Sequence, residues 1–345
     1  MDKILSIIVP TYNMEKYLER CLSSLIVSDE QMAMLEVLVI NDGSKDRSSE
    51  IAHGYESRYP DTFRVIDKTN GHYGSCVNRG LQEATGKYVK VLDADDWFNT
   101  ENFAEYINYL AENDCDLIIS ESCILGENDS IRGIWKYPLT QSTIYDIKDF
   151  PLFSDGYICH QILAYNRHLL LNIAYSQTEG IPYTDLEWVC KPMTAVKSLV
   201  YFPKLIYVYQ QDREGQSVSP ENHCRDIWME QNVIKKLVDL FETLKDGIPE
   251  KNLNVIRMII QSDIKGIYFH YLLDYPKALP NDNLISFDNE ILNESPELYY
   301  GVSDAYAIRK KIRIRYIEEW RKNKTRKTFK FRYLDVCDTI MRIKA

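Results

Sequence analysis

The strongest constraint on the fold of this chain is a regular alternation of short apolar runs and helix-like segments over its first hundred residues. The apolar runs have the length and composition of buried strands and cover residues 5–9, 35–40, 63–66 and 88–92. Segments with apolar residues at helical spacing separate them and cover residues 15–25, 44–59 and 74–84, with Ser44 as the predicted N-cap of the second. Such alternation predicts an α/β fold with a mostly parallel sheet flanked by helices.

The second half of the chain has a different pattern. Residues 116–120 form another strand candidate, and two more, 198–202 and 205–209, flank the turn residues Pro203 and Lys204. After Pro220 long apolar stripes predict helices at residues 226–244 and 253–272. We therefore expect two regions: an α/β domain at residues 1–220 and a mainly helical carboxyl-terminal extension at residues 221–345.

Polar motifs follow directly after the four amino-terminal strands. They read Pro10-Thr11-Tyr12-Asn13, Asn41-Asp42-Gly43-Ser44, Asn70-Gly71-His72 and Asp93-Ala94-Asp95-Asp96. In a parallel sheet these motifs meet at one edge, where open α/β proteins bind ligands. The Asp-x-Asp pair offers hard oxygen ligands to Mg²⁺ or Mn²⁺. A solvated turn in which an aspartate caps the next helix is the alternative interpretation of the last motif.

The order and spacing of these motifs closely resemble those of the family 2 glycosyltransferases, which have the GT-A fold, over about residues 3–220. The absence of G-x-G-x-x-G and Walker A sequences argues against dehydrogenases and P-loop proteins. The resemblance implies that Asp95, together with Asp93, holds Mn²⁺ or Mg²⁺, and that Asp93 can instead contact the ribose. It also implies a nucleotide-binding set: Pro10, Thr11 and Tyr12 around the base, Asp42 accepting a hydrogen bond from uracil, and Asn70 and His72 closing the pocket.

The resemblance also implies a catalytic base, Asp185, within residues 180–188. Thr184 stands where the family usually has a glutamate, which leaves the second carboxylate of the usual pair in question. Glu187 is the rival base, although on a helix it would point about 200° away from Asp185. Helix capping by Asp185 is the non-catalytic alternative. His160 is a candidate acceptor contact, and Arg213, in a loop at residues 210–217, is a candidate diphosphate contact.

These expectations describe an inverting glycosyltransferase. A sugar would move from a nucleotide-diphosphate donor, UDP-sugar in the first instance, to a hydroxyl of a glycan or lipid-linked glycan in surface polysaccharide synthesis. The alternative is a catalytically silent scaffold that binds nucleotide-sugar or glycan within an assembly complex.

Composition and hydrophobic pattern bear on the partner, the role of the cysteines and the location of the protein. A net charge of −10 argues against nucleic acid as a partner. The eight cysteines are scattered without a C-x-x-C pair, so we interpret them as buried apolar residues. No apolar run reaches the roughly 18 residues that span a bilayer, and no signal peptide is apparent, so a cytoplasmic location is expected.

The basic segment at residues 309–344 has two interpretations. Aromatic and apolar residues among many cations would suit peripheral contact with the inner face of a membrane. The alternative is a solvated helix whose inward face is formed by Ile308, Ile312, Tyr316 and Trp320 at helical spacing.

Overall fold

The amino-terminal half of the sheet is parallel, as the alternation predicts. The computed structural model describes residues 2–126, 130–141, 143–150, 158–211, 213, 216, 219–302, 306–309 and 312–342. Its first four strands are β1 (Leu5–Thr11), β2 (Leu35–Asn41), β3 (Phe63–Asp67) and β4 (Tyr88–Val91). They lie in the order β3-β2-β1-β4, and each neighbouring pair is parallel. The carboxyl ends of these strands therefore share one edge.

The rest of the sheet is mixed. Its strands are β5 (Trp97–Phe98), β6 (Leu117–Leu125), β7 (Ile131–Trp135), β8 (Tyr145–Asp146), β9 (Leu163–Asn166) and β10 (Ser198–Gln210). Strand β9 lies between β4 and β6 and is antiparallel to both. Strand β10 lies on the far side of β6 and is parallel to it, while β5, β7 and β8 add antiparallel pairs. The described strands from β1 to β10 thus form one continuous mixed sheet.

The prediction of two strands around a turn at Pro203 and Lys204 is wrong. Strand β10 runs without a turn through 13 residues. Its register against β6 shifts between Tyr201 and Leu205, which identifies a bulge at this point. A bulge accommodates proline, which lacks the N–H group that a regular ladder needs.

Helices cover both faces of the sheet. The helices up to residue 190 are α1 (Leu18–Ser23), α2 (Asp29–Met34), α3 (Ser48–Arg58), α4 (His72–Glu83), α5 (Thr100–Ala111), α6 (Arg167–Asn172) and α7 (Asp185–Cys190). Ile7 and Val9 of β1 belong to the core beneath α1, α2, α3 and α5, whereas Ile8 belongs to the core shared with α4 and α7. Alternate side chains of one strand thus enter two hydrophobic cores, which explains why β1 is apolar throughout.

The predicted N-cap of the second helix is wrong. Helix α3 begins at Ser48, with Arg47 in the N-cap position. The Ser44 hydroxyl instead accepts a hydrogen bond from the Asn13 N–H group, over 3.1 Å. This contact ties the loop after β2 to the loop after β1 at the edge of the sheet.

The carboxyl-terminal region is mainly helical and packs on the core that contains Ile8, α4 and α7. Its helices are α8 (Pro220–Leu244), α9 (Glu250–Phe269), α10 (Asn281–Glu294), α11 (Pro296–Gly301), α12 (Tyr316–Asn323) and α13 (Phe329–Arg342), with a π-helical turn at His270–Asp274 after α9. The buried side-chain amide of Asn252 donates to the carbonyls of Met193 and Val196, at 2.8 and 2.7 Å. Helix α9 therefore completes the hydrogen bonding of the segment that leads into β10.

The basic segment departs from the single helix considered above. Residues Tyr306–Arg309 and Ile312–Arg315 form an antiparallel hairpin, β11 and β12, so Ile308 and Ile312 do not lie on a helix. Tyr316 and Trp320 of α12 are buried, as the helical alternative requires. In the part of the chain that the structure describes, no helix has the length and apolarity needed to cross a bilayer.

Candidate active site

A cavity of about 670 Å³ opens at the edge where β1 and β4 end. Its walls bring together eight of the residues that the sequence singles out: Pro10, Tyr12, His72, Asp93, Asp95, His160, Asp185 and Arg213. Tyr183, Tyr209, Arg225 and Asp226 also line it, and no motif in the sequence identifies them. The size suits a ligand of nucleotide-sugar dimensions, since small-molecule sites typically occupy a few hundred to about 1,000 Å³.

The Asp-x-Asp pair presents two carboxylates to this cavity in different environments. Asp93 accepts hydrogen bonds from the Tyr73 hydroxyl at 3.0 Å and from Nε2 of His160 at 3.2 Å. Burial alone would raise the pKa of Asp93, but the neighbouring His160 and Arg213 outweigh burial and lower it. Asp95 forms an ion pair with Arg213, yet burial and the charge of Asp93 raise its pKa. A cation beside both carboxylates would relieve this repulsion.

Asp96, the third carboxylate of the motif, has an anchoring position behind the cavity. It is buried and accepts hydrogen bonds from the Tyr207 hydroxyl at 2.7 Å and the Gln210 N–H group at 2.8 Å. Burial and the charges of Asp95 and Asp93 raise its pKa well above the usual range. Because Tyr207 and Gln210 belong to β10, Asp96 fastens the acidic turn to that strand.

His160 lies between the acidic turn and Asp185. Its Nδ1 atom is 3.7 Å from Oδ2 of Asp185, while Nε2 faces Asp93. Burial disfavours the protonated ring, but Asp93 and Asp185 outweigh burial and raise the pKa of His160 to about 10. The ring is therefore positively charged at neutral pH, and it holds the two carboxylates on opposite sides of itself.

Lys90 supports the segment that carries His160. Its ammonium group is fully buried and donates to the carbonyls of Gln161 at 2.6 Å and Leu163 at 3.3 Å. Burial lowers the pKa of Lys90 to about 7. The sequence gives no sign of this role, since residue 90 lies inside an apolar strand.

Asp185 is the first residue of α7, and Thr184 takes the N-cap position. The proposal that Asp185 merely caps the helix is therefore wrong. The Asp185 side chain is 41% exposed, whereas Thr184 is buried and donates to Oε1 of Gln177 at 3.1 Å. Thr184 thus fills the position of the missing glutamate with a hydrogen bond inside the protein.

Glu187 lies on the opposite side of α7 from the cavity. It is fully buried, and its carboxylate accepts from the Thr178 N–H group at 2.5 Å and from Lys191 at 2.7 Å. These contacts occupy both of its oxygens, and Glu187 does not line the cavity. The structure therefore gives Glu187 a bracing position rather than that of a rival base.

Three of the nucleotide-binding candidates, Thr11, Asp42 and Asn70, do not line the cavity; Thr11 and Asp42 are buried, whereas Asn70 is exposed. Asp42 is buried, and its Oδ1 atom accepts from Lys68 at 2.6 Å and from the Gly71 N–H group at 2.9 Å. Asn70 donates to the Asp42 carbonyl at 3.1 Å. Asp42 therefore joins the loops after β2 and β3. Lys68 lies one residue after the end of β3. A search for polar residues directly after each strand, which identified the other candidates, would therefore also have identified Lys68.

Arg213 is one of the described residues of the predicted diphosphate loop. Its guanidinium pairs with Asp95 and also lies 5.4 Å from the centre of the Tyr17 ring. Residues 212, 214, 215 and 217 of that loop lie outside the described residues. The ion pair places a cation of the protein itself at the acidic turn.

Comparison with known proteins agrees with this arrangement. Residues 6–170 match the family model described as glycosyl transferase family 2. The uncharacterized glycosyltransferase MG025 of Mycoplasma genitalium is 34% identical over 128 residues, which are 36% of this chain and 42% of that protein. The minor teichoic acid biosynthesis protein GgaB of Bacillus subtilis is 24% identical over 71% of this chain and 27% of its own length. The chain thus matches less than half the length of these relatives.

Solved structures show the same fold. The crystal structure of S. aureus TarS superposes with a TM-score of 0.62 at 19% identity, covering 93% of this chain and 53% of that one. TarS residues 1–349 in complex with UDP-GlcNAc superpose with a TM-score of 0.55 at 19% identity, covering 89% and 95% of the two chains. The mixed sheet with its helical carboxyl-terminal region is therefore a GT-A architecture.

Proposed function

We propose that this chain, which carries a glycosyl transferase family 2 domain at residues 6–170, is an inverting glycosyltransferase that uses a UDP-sugar. The observation that carries the proposal is the position of one imidazole, His160, between the Asp93 carboxylate and the Asp185 carboxylate in a single cavity. A donor site and a proton acceptor facing the same space are what sugar transfer requires.

The donor is proposed to lie against the edge of the parallel strands. Pro10 and Tyr12 line the cavity on the base side, and His72 completes that wall. Thr11 and Asp42 would support these loops from the interior and Asn70 from the surface, with Asp42 reading the uracil N3–H group once the loops adjust. Arg213 would provide positive charge for the diphosphate after exchanging its partner Asp95 for phosphate oxygens.

Asp93 and Asp95 fit a divalent cation such as Mn²⁺ or Mg²⁺. Both are oxygen donors that line the cavity, and burial together with the charge of Asp93 raises the pKa of Asp95 despite its ion pair with Arg213. When bound, the cation would neutralise charge on the departing diphosphate. The remaining steps belong to side chains of the chain itself.

Asp185 is proposed to act as the general base. An acceptor hydroxyl attacks the anomeric carbon from the side opposite the diphosphate, and the bond from that carbon to the phosphate oxygen breaks. The Asp185 carboxylate takes the hydroxyl proton, and the nucleoside diphosphate leaves with the bonding electrons. The charged His160 ring holds Asp185 at one side of this path and Asp93 at the other.

A hydroxyl of a cell-surface glycan or lipid-linked glycan is the proposed acceptor. GgaB is described by its role in minor teichoic acid biosynthesis, and TarS has been solved with UDP-GlcNAc. These relatives support a polymer hydroxyl as acceptor and UDP-GlcNAc as the first donor to assay.

We further propose that residues 1–220 bind the donor while residues 221–345 serve the acceptor side and the membrane. On α13, Phe329, Tyr333 and Val336 recur at helical spacing and are 82%, 44% and 54% exposed. Lys330 and Arg332 lie exposed beside them. An apolar stripe with flanking cations suits an anionic membrane surface. Sedimentation with vesicles containing anionic lipid tests this contact: the variant Phe329→Ser should bind less.

The decisive experiment combines donor binding with product analysis. Calorimetric titration of UDP, with and without Mn²⁺, should show metal-dependent binding that weakens at least tenfold in Asp95→Asn. Slow hydrolysis of UDP-GlcNAc and other UDP-sugars should release the sugar with inverted anomeric configuration. Proton NMR should monitor the reaction from its start, before the released sugar mutarotates. Retained configuration would contradict the inverting mechanism.

The silent scaffold is distinguished in the same experiment. It would bind UDP or a glycan normally yet release no sugar from any UDP-sugar, with or without candidate acceptors. The hydrogen bond between Thr184 and Gln177, where the family usually has a second carboxylate, is the observation that favours this alternative.

A further inference from the structure

A second cluster of ionisable side chains lies outside the cavity, where the beginning of α8 meets the end of α9. It consists of His223 and Glu230 on α8 and His270 at the start of the π-helical turn. One ligand atom from each residue lies within 4.8 Å of the others. Nε2 of His223 is 2.8 Å from Oε2 of Glu230, and the two imidazole rings have centroids 4.3 Å apart.

The sequence spacing explains how these groups meet. His223 and Glu230 are seven residues apart, which places them two turns apart on one face of α8. Asp263 and His270 repeat the same spacing along α9 and its continuation. Because a short connection joins α8 to α9, the two helices run in opposite directions and these faces come together.

The π-helical turn brings an orienting carboxylate to His270. Nδ1 of His270 is 3.3 Å from Oδ2 of Asp274, four residues further along the turn. When Nδ1–H donates to this carboxylate, Nε2 carries the lone pair that a metal ion requires. A carboxylate that orients an imidazole in this way is the usual partner of a metal-binding histidine, and π-helical turns are frequent at functional sites.

Asp263 adds a second carboxylate beside this cluster. Its Oδ2 atom is buried and has no hydrogen-bond partner within the described part of the chain. Glu230 on α8 interacts electrostatically with Asp263 on α9. An unpartnered buried carboxylate oxygen is costly unless a proton or a cation compensates it.

We propose that His223, Glu230 and His270 bind a divalent transition-metal ion, with Zn²⁺ as the best chemical match and Asp263 as the adjoining carboxylate. Two imidazoles and one carboxylate favour Zn²⁺ over Mg²⁺, which prefers oxygen ligands throughout. Ligand atoms of a tetrahedral zinc ion lie about 3.4 Å apart, so modest side-chain rotation closes this cluster. Glu230 and His270 are partly exposed, which gives the ion a route in.

The position of this cluster suggests what the ion does. The His223 ring lies 5.7 Å from the Tyr183 ring, and Tyr183 precedes Thr184 and Asp185 in the chain. Tyr183 has a φ of 64°, a left-handed conformation that tyrosine rarely adopts. A bound ion would hold α8 and α9 together beneath this residue and so steady the entry to α7. This proposal does not depend on the identity of the donor or on sugar transfer.

The test uses the full chain without a histidine tag, stripped of metal and then equilibrated with Zn²⁺ and dialysed. Elemental analysis should find one retained zinc equivalent in wild type, and titration with Zn²⁺ should give at least a tenfold lower affinity for His270→Gln and His223→Gln. Co²⁺ in place of Zn²⁺ should give visible absorption typical of nitrogen and oxygen ligation, and Zn²⁺ should raise the melting temperature of wild type but not that of His223→Gln or His270→Gln.

Two matched variants separate the possible outcomes. His168→Gln changes an exposed histidine elsewhere and should retain zinc as wild type does. Asp95→Asn alters the proposed donor site and should also retain it. Equal zinc retention by wild type, His223→Gln and His270→Gln would overturn the proposal, as would loss of the ion in Asp95→Asn alone. Circular dichroism of each variant establishes that a lost equivalent does not reflect unfolding.

Discussion

Nδ1 of His160 lies 3.7 Å from Oδ2 of Asp185, and the opposite ring nitrogen faces Asp93. One ring therefore contacts both the side chain proposed to receive a proton and a carboxylate proposed to bind the donor. A change at His160 should disturb both halves of the reaction, whereas a change at either carboxylate should disturb one.

Replacing His160 by asparagine should weaken metal-dependent UDP binding and also lower kcat, each by roughly tenfold or more, because a buried charge partner is lost from both carboxylates. Calorimetry and steady-state kinetics measure the two effects. His72→Asn, which alters another histidine of the cavity wall, should change donor affinity with less effect on kcat. Unchanged kinetics in His160→Asn would show that the contacts of His160 with Asp93 and Asp185 are dispensable.

Asp185→Asn should lower kcat by about 10²- to 10⁴-fold, the range expected for removal of a general base. UDP affinity should stay within about twofold of wild type, because the proposed mechanism places Asp185 on the acceptor side. Asp226→Asn, which changes another carboxylate of the cavity wall, is the matched control and should retain most activity. Comparable losses in both variants would contradict a specific role for Asp185.

Asp96→Ala should lower the free energy of unfolding by about 1–3 kcal/mol, because the Tyr207 hydroxyl and the Gln210 N–H group lose their acceptor. Urea denaturation measures this change, and a double-mutant cycle with Tyr207→Phe should show coupling. Asp114→Ala, which alters a side chain that is 93% exposed, should change stability by less than about 0.5 kcal/mol. Additive effects of Asp96→Ala and Tyr207→Phe would argue against the anchoring contact.

Lys90 should make stability depend on pH. Burial lowers its pKa to about 7, whereas an unfolded lysine titrates near ~10.4. Between these values the unfolded chain binds the proton and the folded chain does not, so stability rises with pH. The unfolding free energy of wild type minus that of Lys90→Met should therefore increase by up to about 1.4 kcal/mol per pH unit from pH ~7 to ~10. Denaturation across this range measures it; Lys45→Met, an exposed control, should give a flat difference.

Gly74→Ala should be destabilising by about 1–3 kcal/mol and should slow transfer. A Cβ atom at Gly74 would lie 2.1 Å from the Thr178 carbonyl oxygen, so the loop leading to α7 must move. Gly54→Ala provides the contrast, because no atom outside the neighbouring residues and the backbone of α3 lies within 4 Å of the added carbon, and it should stabilise by about 0.5–1 kcal/mol. Thermal unfolding of both variants checks the opposite signs.

The sequence predicted the parallel half of the sheet and the convergence of its strand-end motifs, because period and composition determine both locally. The path of β10 could not be predicted in this way. Pro203 reads as a turn, and only the neighbouring strand β6 shows that a bulge accommodates it. Tertiary pairing thus overrides a local signal.

The sequence predicted several residues of the site but not all of them. Asp93, Asp95, His160 and Asp185 line one cavity, as their positions after strands and in the predicted base segment suggest. The role of Lys90 could not be predicted, because a lysine within an apolar strand is normally expected to face solvent. Its position between two carbonyls depends on β9 returning antiparallel to β4, which no local pattern encodes.

Strand β10 shows that the segment matched by the family is shorter than the segment needed to complete the sheet. The family match ends at residue 170, but β10 begins at Ser198 and pairs with β5, β6 and β8. A fragment cut at the end of the match would leave β6 as a bare edge and remove the anchor of the acidic turn. Such an edge invites aggregation. Recombination between relatives should therefore exchange segments that extend beyond β10, and expression fragments should do the same.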